Sequence, residues 1–381
     1  MQHHPFIRFD LDFHDADAGL WELLGRCASL FDLISVAPLK PTLAEKLYRV
    51  SLTKYIQGTT AIEGHEYNTE VVEEAVARSD QLVPDYTPVE IDSFLNVIIE
   101  IRDKKKSGEP LNVTPDYLCE LNRTVLTGAP ISPSINIGHL RYHHVGVHGY
   151  RPPESEHLDP LVGDLCYWIN DPTASKLGQY GLSTMSQNLF KALFAHLYFE
   201  MIHPFGDGNG RVGRLLELDL LARSGVPLPA AMGLTSYYNE HKNAYFAAIQ
   251  AAEAQHSDGG IFPFINFALR GLYAKSKEMV AMIQSQTLDA LWKDYVYEQT
   301  DAYKRRAVGR RQQTLALSLD STPRVNRQIR EISTKIAVAY SNKTDAILTR
   351  DLKALQKLGL VTRLAEGWKA NKEKMQAFLA D

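Results

Sequence analysis

The stretch His203-Pro204-Phe205-Gly206-Asp207-Gly208-Asn209-Gly210-Arg211-Val212-Gly213-Arg214 decides the fold of this chain, because it connects two predicted helices through a glycine-rich loop. Apolar residues recur at helical spacing before it, at Phe190, Phe194, Leu197 and Met201, and Pro204 ends that pattern. A second helix continues from near Arg211, with apolar residues at Leu215, Leu218 and Leu221. The loop therefore leads directly into the N-terminus of a helix.

The composition of this loop is typical of an anion-binding site. Three glycines in five positions allow the backbone to take φ > 0 and to turn several N–H groups to one side. The helix that follows adds its positive dipole end and its unpaired N–H groups. Arg211 and Arg214 lie one turn apart and can each hold phosphate oxygens through two hydrogen bonds. The loop is thus predicted to bind a polyphosphate.

Two further side chains of the stretch carry chemistry. Asp207 places one carboxylate at the loop, which suits a Mg²⁺ ion that takes its other ligands from phosphates. His203 ends the first helix, where a neutral imidazole can accept a proton from an incoming hydroxyl group. A base, a metal ligand and a phosphate cradle together indicate phosphoryl or nucleotidyl transfer.

Plainer interpretations exist for each part of the stretch. The glycines alone would fit a simple connection, and His203 and His196 would each fit a structural histidine. An EF-hand is excluded because Arg211 and Val212 occupy positions that need an oxygen ligand and a glycine. A P-loop is excluded because no Gly-Lys-Ser/Thr follows the glycines and no strand precedes them. The combination of base, acid, glycines and arginines favours the catalytic interpretation.

The stretch resembles the signature of the Fic family, HxFx(D/E)GNGRxxR. All eight defined positions are filled, by His203, Phe205, Asp207, Gly208, Asn209, Gly210, Arg211 and Arg214. Residues 138–153 resemble the flap-bearing lead-in of the family, and Val145–Tyr150 has the short alternating pattern of a hairpin. The resemblance covers roughly residues 100–270 and implies an all-α Fic core with a small β-hairpin flap.

The resemblance also implies a role for each residue. His203 would deprotonate a protein hydroxyl group, which attacks the α-phosphorus of ATP with pyrophosphate leaving. Asp207 would hold Mg²⁺ as the cofactor, and Phe205 would anchor the loop in the core. The residues expected to bind ATP are Gly206, Asp207, Gly208, Asn209, Gly210, Arg211 and, at the γ-phosphate, Arg214. The family often uses a Tyr-Tyr pair for adenine, and Tyr245-Phe246 stands in its place here.

A second motif lies near the N-terminus, Thr59-Thr60-Ala61-Ile62-Glu63-Gly64. It resembles the inhibitory pattern (S/T)xxxE(G/N) of the Fic family, which matches at Thr59, Glu63 and Gly64. A carboxylate that reaches Arg214 would take the partner of the γ-phosphate, so that ATP binds only in a non-productive pose. In some members the same glutamate aids removal of AMP. The alternative is a helix C-terminus with Glu63 solvated and Gly64 as its terminator.

Composition and charge limit the class of protein. The chain has 381 residues, too many for one ordinary core, and 23% charged residues, as in globular proteins. No apolar run approaches the ~20 residues needed to cross a bilayer, and the first residues lack the features of a secretory signal. The three cysteines, Cys27, Cys119 and Cys166, make no CxxC and no even set. We therefore expect a cytoplasmic protein without membrane contact.

The C-terminal part differs from the rest in charge. Residues 301–381 hold 17 Lys+Arg against 8 Asp+Glu, whereas the other 300 residues hold 24 against 37. Predicted helices over 333–340 and 343–358 precede a predicted two-stranded wing over 359–370, which is the winged-helix order. Such a module would bind DNA phosphates or contact a protein, and a homodimer is one such contact.

These observations predict three regions: residues 1–95 with the inhibitory helix, 96–285 as the Fic core, and 286–381 as a linker helix and winged helix. The leading hypothesis is an autoinhibited adenylyltransferase that moves AMP from ATP to a Ser, Thr or Tyr hydroxyl group of a protein target and of itself. The alternatives are a DNA-binding regulator whose core senses nucleotide, and a Fic enzyme that mainly removes AMP or uses another nucleotide.

Overall fold

The structure is a computed structural model, and it describes residues 7–9, 13, 16–78, 88–129, 131–146, 150–254, 258–303 and 306–375. Within these ranges the chain is mainly helical and contains one two-stranded antiparallel sheet, so the predicted all-α class is confirmed. The chain packs as two compact units, residues 1–280 and 281–381.

The first unit is built from helices. Its helices are α1 (Ala18–Val36), α2 (Pro41–Ile62), α3 (Thr69–Arg78), α4 (Val89–Ser107), α5 (Pro115–Leu126), α6 (Leu158–Asn170), α7 (Thr184–Ile202), α8 (Asn209–Arg223), α9 (Leu228–Glu240), α10 (Lys242–Ala254) and the first part of α11 (Phe262–Thr300). Short 3₁₀ turns lie at Ser155–His157, Leu177–Tyr180 and Asp258–Ile261.

Helices α7 and α8 form the centre of the first unit. Each residue from Leu189 to Phe199 on α7 is buried, and so is nearly every residue of α8 from Asn209 to Ala222. A helix that is apolar or buried on all sides is a core element rather than a surface one. The side chain of Ser183 caps the start of α7 by accepting a hydrogen bond from the Ser186 N–H (3.1 Å). The connection between these two helices is the glycine-rich loop.

Helix α2 brings the predicted inhibitory motif to that loop. It begins at Pro41, where proline lacks an N–H that the first turn would leave unpaired. Its buried face includes Leu52, Tyr55, Ile56 and Thr59, and Gly58 lies against α9, where an added Cβ would stand 3.1 Å from the Thr235 carbonyl oxygen. The helix ends at Ile62, and Gly64 reverses the chain with φ +93°.

The second unit has its own apolar core. Its elements after α11 are α12 (Ala307–Ser318), α13 (Asn326–Arg330), α14 (Thr334–Tyr340), α15 (Asp345–Lys357), β1 (Val361–Leu364) and β2 (Gly367–Ala370), with 3₁₀ turns at Asp301–Tyr303 and Lys372–Met375. Strands β1 and β2 are antiparallel, with Val361 opposite Ala370 at one end and Leu364 opposite Gly367 at the other. Arg324 forms a separate bridge with Trp368. The predicted order of helix, helix and hairpin in this part of the chain is therefore observed.

Three other expectations meet the structure here. The hairpin predicted over 145–150 includes residues 147–149, which lie outside the described ranges, and Val145 and Gly146 are irregular. Cys27, Cys119 and Cys166 are free thiols. Among the described residues, no helix combines the length and the apolar character that crossing a bilayer requires.

We predict that Asp351→Ala destabilises the second unit by about 3 kcal/mol, because the change leaves buried donors without their acceptor. Asp351 is fully buried, and its carboxylate accepts hydrogen bonds from Arg311 Nε (2.7 Å), Gln312 Nε2 (3.0 Å) and the Tyr340 hydroxyl (3.0 Å). Hydrogen–deuterium exchange of α12 and α15 should report the loss. The control is Glu331→Ala, whose side chain is 70% exposed. Equal exchange in both variants would contradict the prediction.

Candidate active site

His203 lies at the end of α7 in a conformation that non-glycine residues rarely adopt. Its backbone is left-handed (φ 49°, ψ 59°), and Pro204 follows, which disfavours a further helical residue. The His203 N–H still donates to the Phe199 carbonyl oxygen (2.9 Å), so His203 makes the last hydrogen bond of the helix. Strained conformations of this kind persist where the surroundings hold them in place.

Arg141 is the group that holds His203 from outside the signature. Its guanidinium is buried, and it donates to the carbonyl oxygens of His203 (2.8 Å), His143 (3.0 Å) and Pro153 (2.6 Å). The Arg141 N–H also donates to the Pro204 carbonyl oxygen (2.9 Å). Arg141 lies in the lead-in segment 138–153, but its role could not be predicted from sequence because its partners are backbone atoms up to 63 positions away.

The ring of His203 is suited to accept a proton. Its Nδ1 lies 3.3 Å from the Glu200 carbonyl oxygen, which can only accept, so Nδ1 carries the hydrogen and Nε2 keeps its lone pair. Burial lowers the pKa of His203 to about 4, and the imidazole is therefore neutral near pH 7. A neutral histidine with a free Nε2 is a competent general base.

The conformation of the loop is held by side chains of the loop itself and of α5. Phe205 is 1% exposed and packs near Phe199, as predicted for an anchor. Asn209 donates to the Phe205 carbonyl oxygen (2.8 Å) and accepts from the Phe205 N–H (2.9 Å). Asn122 of α5, which the sequence analysis missed, donates to the Asp207 carbonyl oxygen (2.8 Å) and accepts from the Gly138 N–H (2.9 Å). These bonds fix the shape of the loop before any ligand binds.

The three loop glycines differ in backbone conformation. Only Gly208 of the three takes φ > 0, with φ 79° at the N-cap of α8. Gly210 is already helical, and what it supplies is space: an added Cβ would lie 2.4 Å from Glu63 Oε1. Gly206 has room for a Cβ, with its nearest neighbours at 3.4 Å. The same residue type thus serves a turn at one position and a close approach at another.

Asp207 and Arg211 contact each other and a residue of α4. Asp207 Oδ1 accepts from the Gly208 N–H (2.5 Å) and from Arg211 Nη2 (3.2 Å), and 40% of its side chain is exposed. Arg211 is buried, and its Nη1 donates to Glu90 Oε1 (3.1 Å). Glu90 was not found from sequence, because 121 positions separate it from Arg211 and no motif includes it. In this arrangement both terminal nitrogens of Arg211 meet carboxylates.

Arg214 is paired with the segment predicted as inhibitory. Its side chain is 1% exposed, and its Nη2 donates to Glu63 Oε1 (2.6 Å) and to the Thr59 carbonyl oxygen (3.2 Å). Its Nε donates to the Thr59 hydroxyl oxygen (2.9 Å), so this hydroxyl is a direct acceptor for the arginine. Burial opposes ionisation of Glu63, but Arg214 more than offsets it and holds the pKa of Glu63 below its usual value. Glu63 is thus the residue at the end of α2, before Gly64, with 29% of its side chain exposed and its carboxylate on Arg214.

Two more carboxyl groups lie near Arg214. Burial raises the pKa of Glu200 and of Glu217 to about 8, so both are protonated near pH 7. Glu200 is accommodated because residue 213 is glycine, where a Cβ would stand 2.5 Å from Glu200 Oε1. Since these two carboxyl groups are neutral, Glu63 supplies the negative charge that Arg214 meets.

The two residues predicted to bind adenine are buried or half-buried. Tyr245 is 1% exposed, its ring stacks on Tyr238 (centroids 4.5 Å apart), and its hydroxyl lies 2.8 Å from His196 Nε2. Phe246 is half-buried beside it, with ring centroids 5.3 Å apart. His196 is fully buried and stacks on Phe264, which fits a structural histidine. Adenine binding by Tyr245 and Phe246 stays a prediction.

Comparison with known proteins agrees with this geometry. Residues 112–221 match the sequence profile of the Fic/DOC family. A protein adenylyltransferase fic-1 of Caenorhabditis briggsae is 24% identical over 250 residues, which are 65% of this chain and 45% of that protein. A protein adenylyltransferase Fic of Aedes aegypti is 32% identical over 155 residues, 41% of this chain and 27% of that protein. The chain thus spans less than half the length of these curated relatives.

Solved structures show the same fold. A Fic family protein from Desulfovibrio desulfuricans superposes with a TM-score of 0.53 at 17% identity, covering 93% of this chain and 96% of the other. A fragment of Fic-1 from Caenorhabditis elegans gives a TM-score of 0.53 at 20% identity, covering 71% and 74%. At these identities the likeness establishes the fold.

We predict that NMR of ring-labelled histidine finds His203 neutral, with its hydrogen on Nδ1, down to about pH 5. The folded-state pKa is about 4 against 6.5 for a free histidine. The unfolded chain therefore takes up this proton first, and the contribution of His203 to stability is lost as pH falls from 6.5 towards 4. His203→Asn identifies the signal. A titration near pH 6.5, or a hydrogen on Nε2, would refute the assignment.

Proposed function

We propose that this protein transfers AMP from ATP to a Ser, Thr or Tyr hydroxyl group of a protein target, and of itself, and that Glu63 restrains the reaction. The observation that carries the proposal is the neutral His203, with a free Nε2, beside a loop that presents Asp207 and leads into the N-terminus of α8. The similarity to proteins named adenylyltransferases supports AMP as the transferred group.

The reaction follows from the side chains of the site. The target hydroxyl oxygen attacks the α-phosphorus of ATP, and His203 Nε2 accepts the proton of the hydroxyl group. The new oxygen–phosphorus bond forms as the bond to pyrophosphate breaks, and pyrophosphate leaves. The first N–H groups of α8, after Gly208, are directed at the phosphates and stabilise their charge.

The donor set fits a magnesium ion that phosphates help to hold. Mg²⁺ binds through one or two carboxylates and completes its shell with phosphates and water. Asp207 is the partly exposed carboxylate at the loop, and both of its hydrogen bonds within the described residues end on Oδ1. When bound, Mg²⁺ would neutralise charge on the α- and β-phosphates.

The restraint by Glu63 is argued from the hydrogen bonds of Arg214. A buried guanidinium has few directions in which to find partners, and here Thr59 and Glu63 occupy Nε and Nη2. A γ-phosphate held by Arg214 would meet the Glu63 carboxylate at Nη2, so the two anions compete for one arginine. Glu63 also fills the space above Gly210 at the start of α8. ATP therefore binds productively only after Glu63 moves away.

We predict that Glu63→Gly raises the initial rate of AMP incorporation about 10–100-fold, because an Arg–carboxylate bond contributes about 1.5–3 kcal/mol. Thr59→Ala should give a smaller rise, and Arg214→Ala should eliminate both. Incorporation is measured with ATP labelled at the α-phosphorus, at fixed ATP and Mg²⁺.

The matched controls separate the two parts of the proposal. Glu66→Gly removes an exposed acid three positions away and should leave the rate unchanged. Adding His203→Ala to Glu63→Gly should lower incorporation by roughly 10²–10⁴-fold. Equal rates in wild type and Glu63→Gly would contradict inhibition by Glu63. Incorporation that is unchanged by His203→Ala would contradict the role of His203 as the base.

As a second candidate function, we propose that α15 contacts nucleic-acid phosphates. The acidic residues of α15 are neutralised within the protein, since Asp351 is buried against Arg311 and Asp345 pairs with Arg330 (2.9 Å). The remaining charges on this helix are positive and exposed, at Arg350, Lys353 and Lys357. A face with one sign of charge suits a polyanion.

We predict that replacing Arg350, Lys353 and Lys357 by Gln weakens binding to a random-sequence duplex and lowers the slope of log K against log salt by about 2–3. The control replaces Lys46, Lys54 and Lys277, which are exposed residues of the first unit, and changes the net charge equally. An equal loss in both triple variants, or no binding by wild type, would exclude this role.

A further inference from the structure

Glu90 is a buried carboxylate that contacts two regions of the site at once. It lies in the first turn of α4 and is 7% exposed. Its Oε1 accepts from Arg211 Nη1 (3.1 Å), and its Oε2 accepts from the Tyr67 hydroxyl (2.8 Å) and from His65 Nδ1 (2.9 Å). Neither the signature nor the inhibitory motif includes Glu90.

The Arg211 side of this contact bears on phosphate binding. Arg211 is held between Glu90 and Asp207, and its Nε is buried without a partner among the described residues. A guanidinium that lost Glu90 would keep one carboxylate and would be free to rotate about its long side chain. Since a buried ion pair needs good geometry to be favourable, Glu90 fixes the plane in which Arg211 meets a ligand.

The other side of the contact bears on Glu63. Gly64 reverses the chain, and the N–H groups of Gly64 and His65 donate to the carbonyl oxygens of Ala61 (3.1 Å) and Thr60 (2.9 Å). These bonds make residues 60–65 one stiff turn, so an anchor on His65 also fixes Glu63. Lys242 Nζ adds a bond to the Ala61 carbonyl oxygen (3.0 Å). His65 and Tyr67 therefore hold the end of α2 against the site through Glu90.

We infer that Glu90 is a positioning residue that orients Arg211 and, through His65 and Tyr67, keeps Glu63 on Arg214. The inference rests on the proposed function. Glu90 has two effects that different variants separate. Changes at His65 and Tyr67 should affect only the position of Glu63, whereas a change at Glu90 should affect both Glu63 and Arg211.

The first experiment tests the anchor on Glu63. The double variant His65→Ala/Tyr67→Phe should raise AMP incorporation about threefold to tenfold over wild type, because two hydrogen bonds to Glu90 are lost. In the Glu63→Gly background the same double change should add nothing, since the group that it releases is absent. A merely structural role would instead lower the rate in both backgrounds.

The second experiment tests the orientation of Arg211. In the Glu63→Gly background, Glu90→Gln should raise the KM for ATP about tenfold and change kcat less, because the change weakens a contact to a phosphate-binding group. Adding Glu90→Gln to Arg211→Ala should cause no further rise. The control is Glu100→Gln on the same helix, whose side chain is 61% exposed.

A third measurement does not depend on activity. Hydrogen–deuterium exchange at residues 60–65 should increase in His65→Ala/Tyr67→Phe and in Glu90→Gln, but not in Glu100→Gln. Unchanged exchange, or a KM equal to that of the control, would overturn the inference. Absence of AMP incorporation by Glu63→Gly would overturn the proposed function instead, and the exchange data would still decide whether Glu90 anchors Glu63.

Discussion

Two buried guanidinium groups, those of Arg211 and Arg214, set the requirement that the rest of the site satisfies. A cation taken out of water costs several kcal/mol unless a well-placed anion and further acceptors surround it. Both arginines project from α8, which is almost entirely buried, and their partners come from the preceding loop, where Asp207 pairs with Arg211, and from other helices. Helix α2 supplies Glu63 and Thr59, and α4 supplies Glu90. The packing of α2 and α4 near α8 thus supplies counter-charge to both arginines.

Few ionised carboxylates lie near Arg214, because two of the acids around it are protonated. Glu200 and Glu217 have pKa values of about 8, which burial causes, so they add no negative charge at neutral pH. Arg214 therefore meets one ionised carboxylate, and a phosphate group would replace it with the same sign of charge. The exchange of one anion for the other leaves the buried arginine paired in both states. Competition between Glu63 and a nucleotide therefore avoids the free-energy cost of an unpaired buried cation.

Local sequence patterns predicted those parts of the molecule that local rules determine. Helices α7 and α8 follow from apolar spacing and from Pro204, and the burial of Phe205 follows from its place in the signature. Glu90, Asn122 and Arg141 could not be found in this way, because their partners lie far along the chain and partly on the backbone. The glycines show the same limit: Gly208 and Gly210 look alike in sequence, yet one provides a left-handed turn and the other provides space for Glu63.

The pairing of Arg211 and Arg214 also bears on how such a chain can evolve. The segment that matches the family profile is 112–221 and includes Asp207, whereas the two other acids that pair with its buried arginines lie at positions 63 and 90. A recombination event that brought in residues 112–221 alone would leave Arg214 without Glu63, and it would leave Arg211 with Asp207 but without Glu90. The part of the chain that could be exchanged without separating these acids from their arginines is therefore larger than the segment that sequence similarity marks.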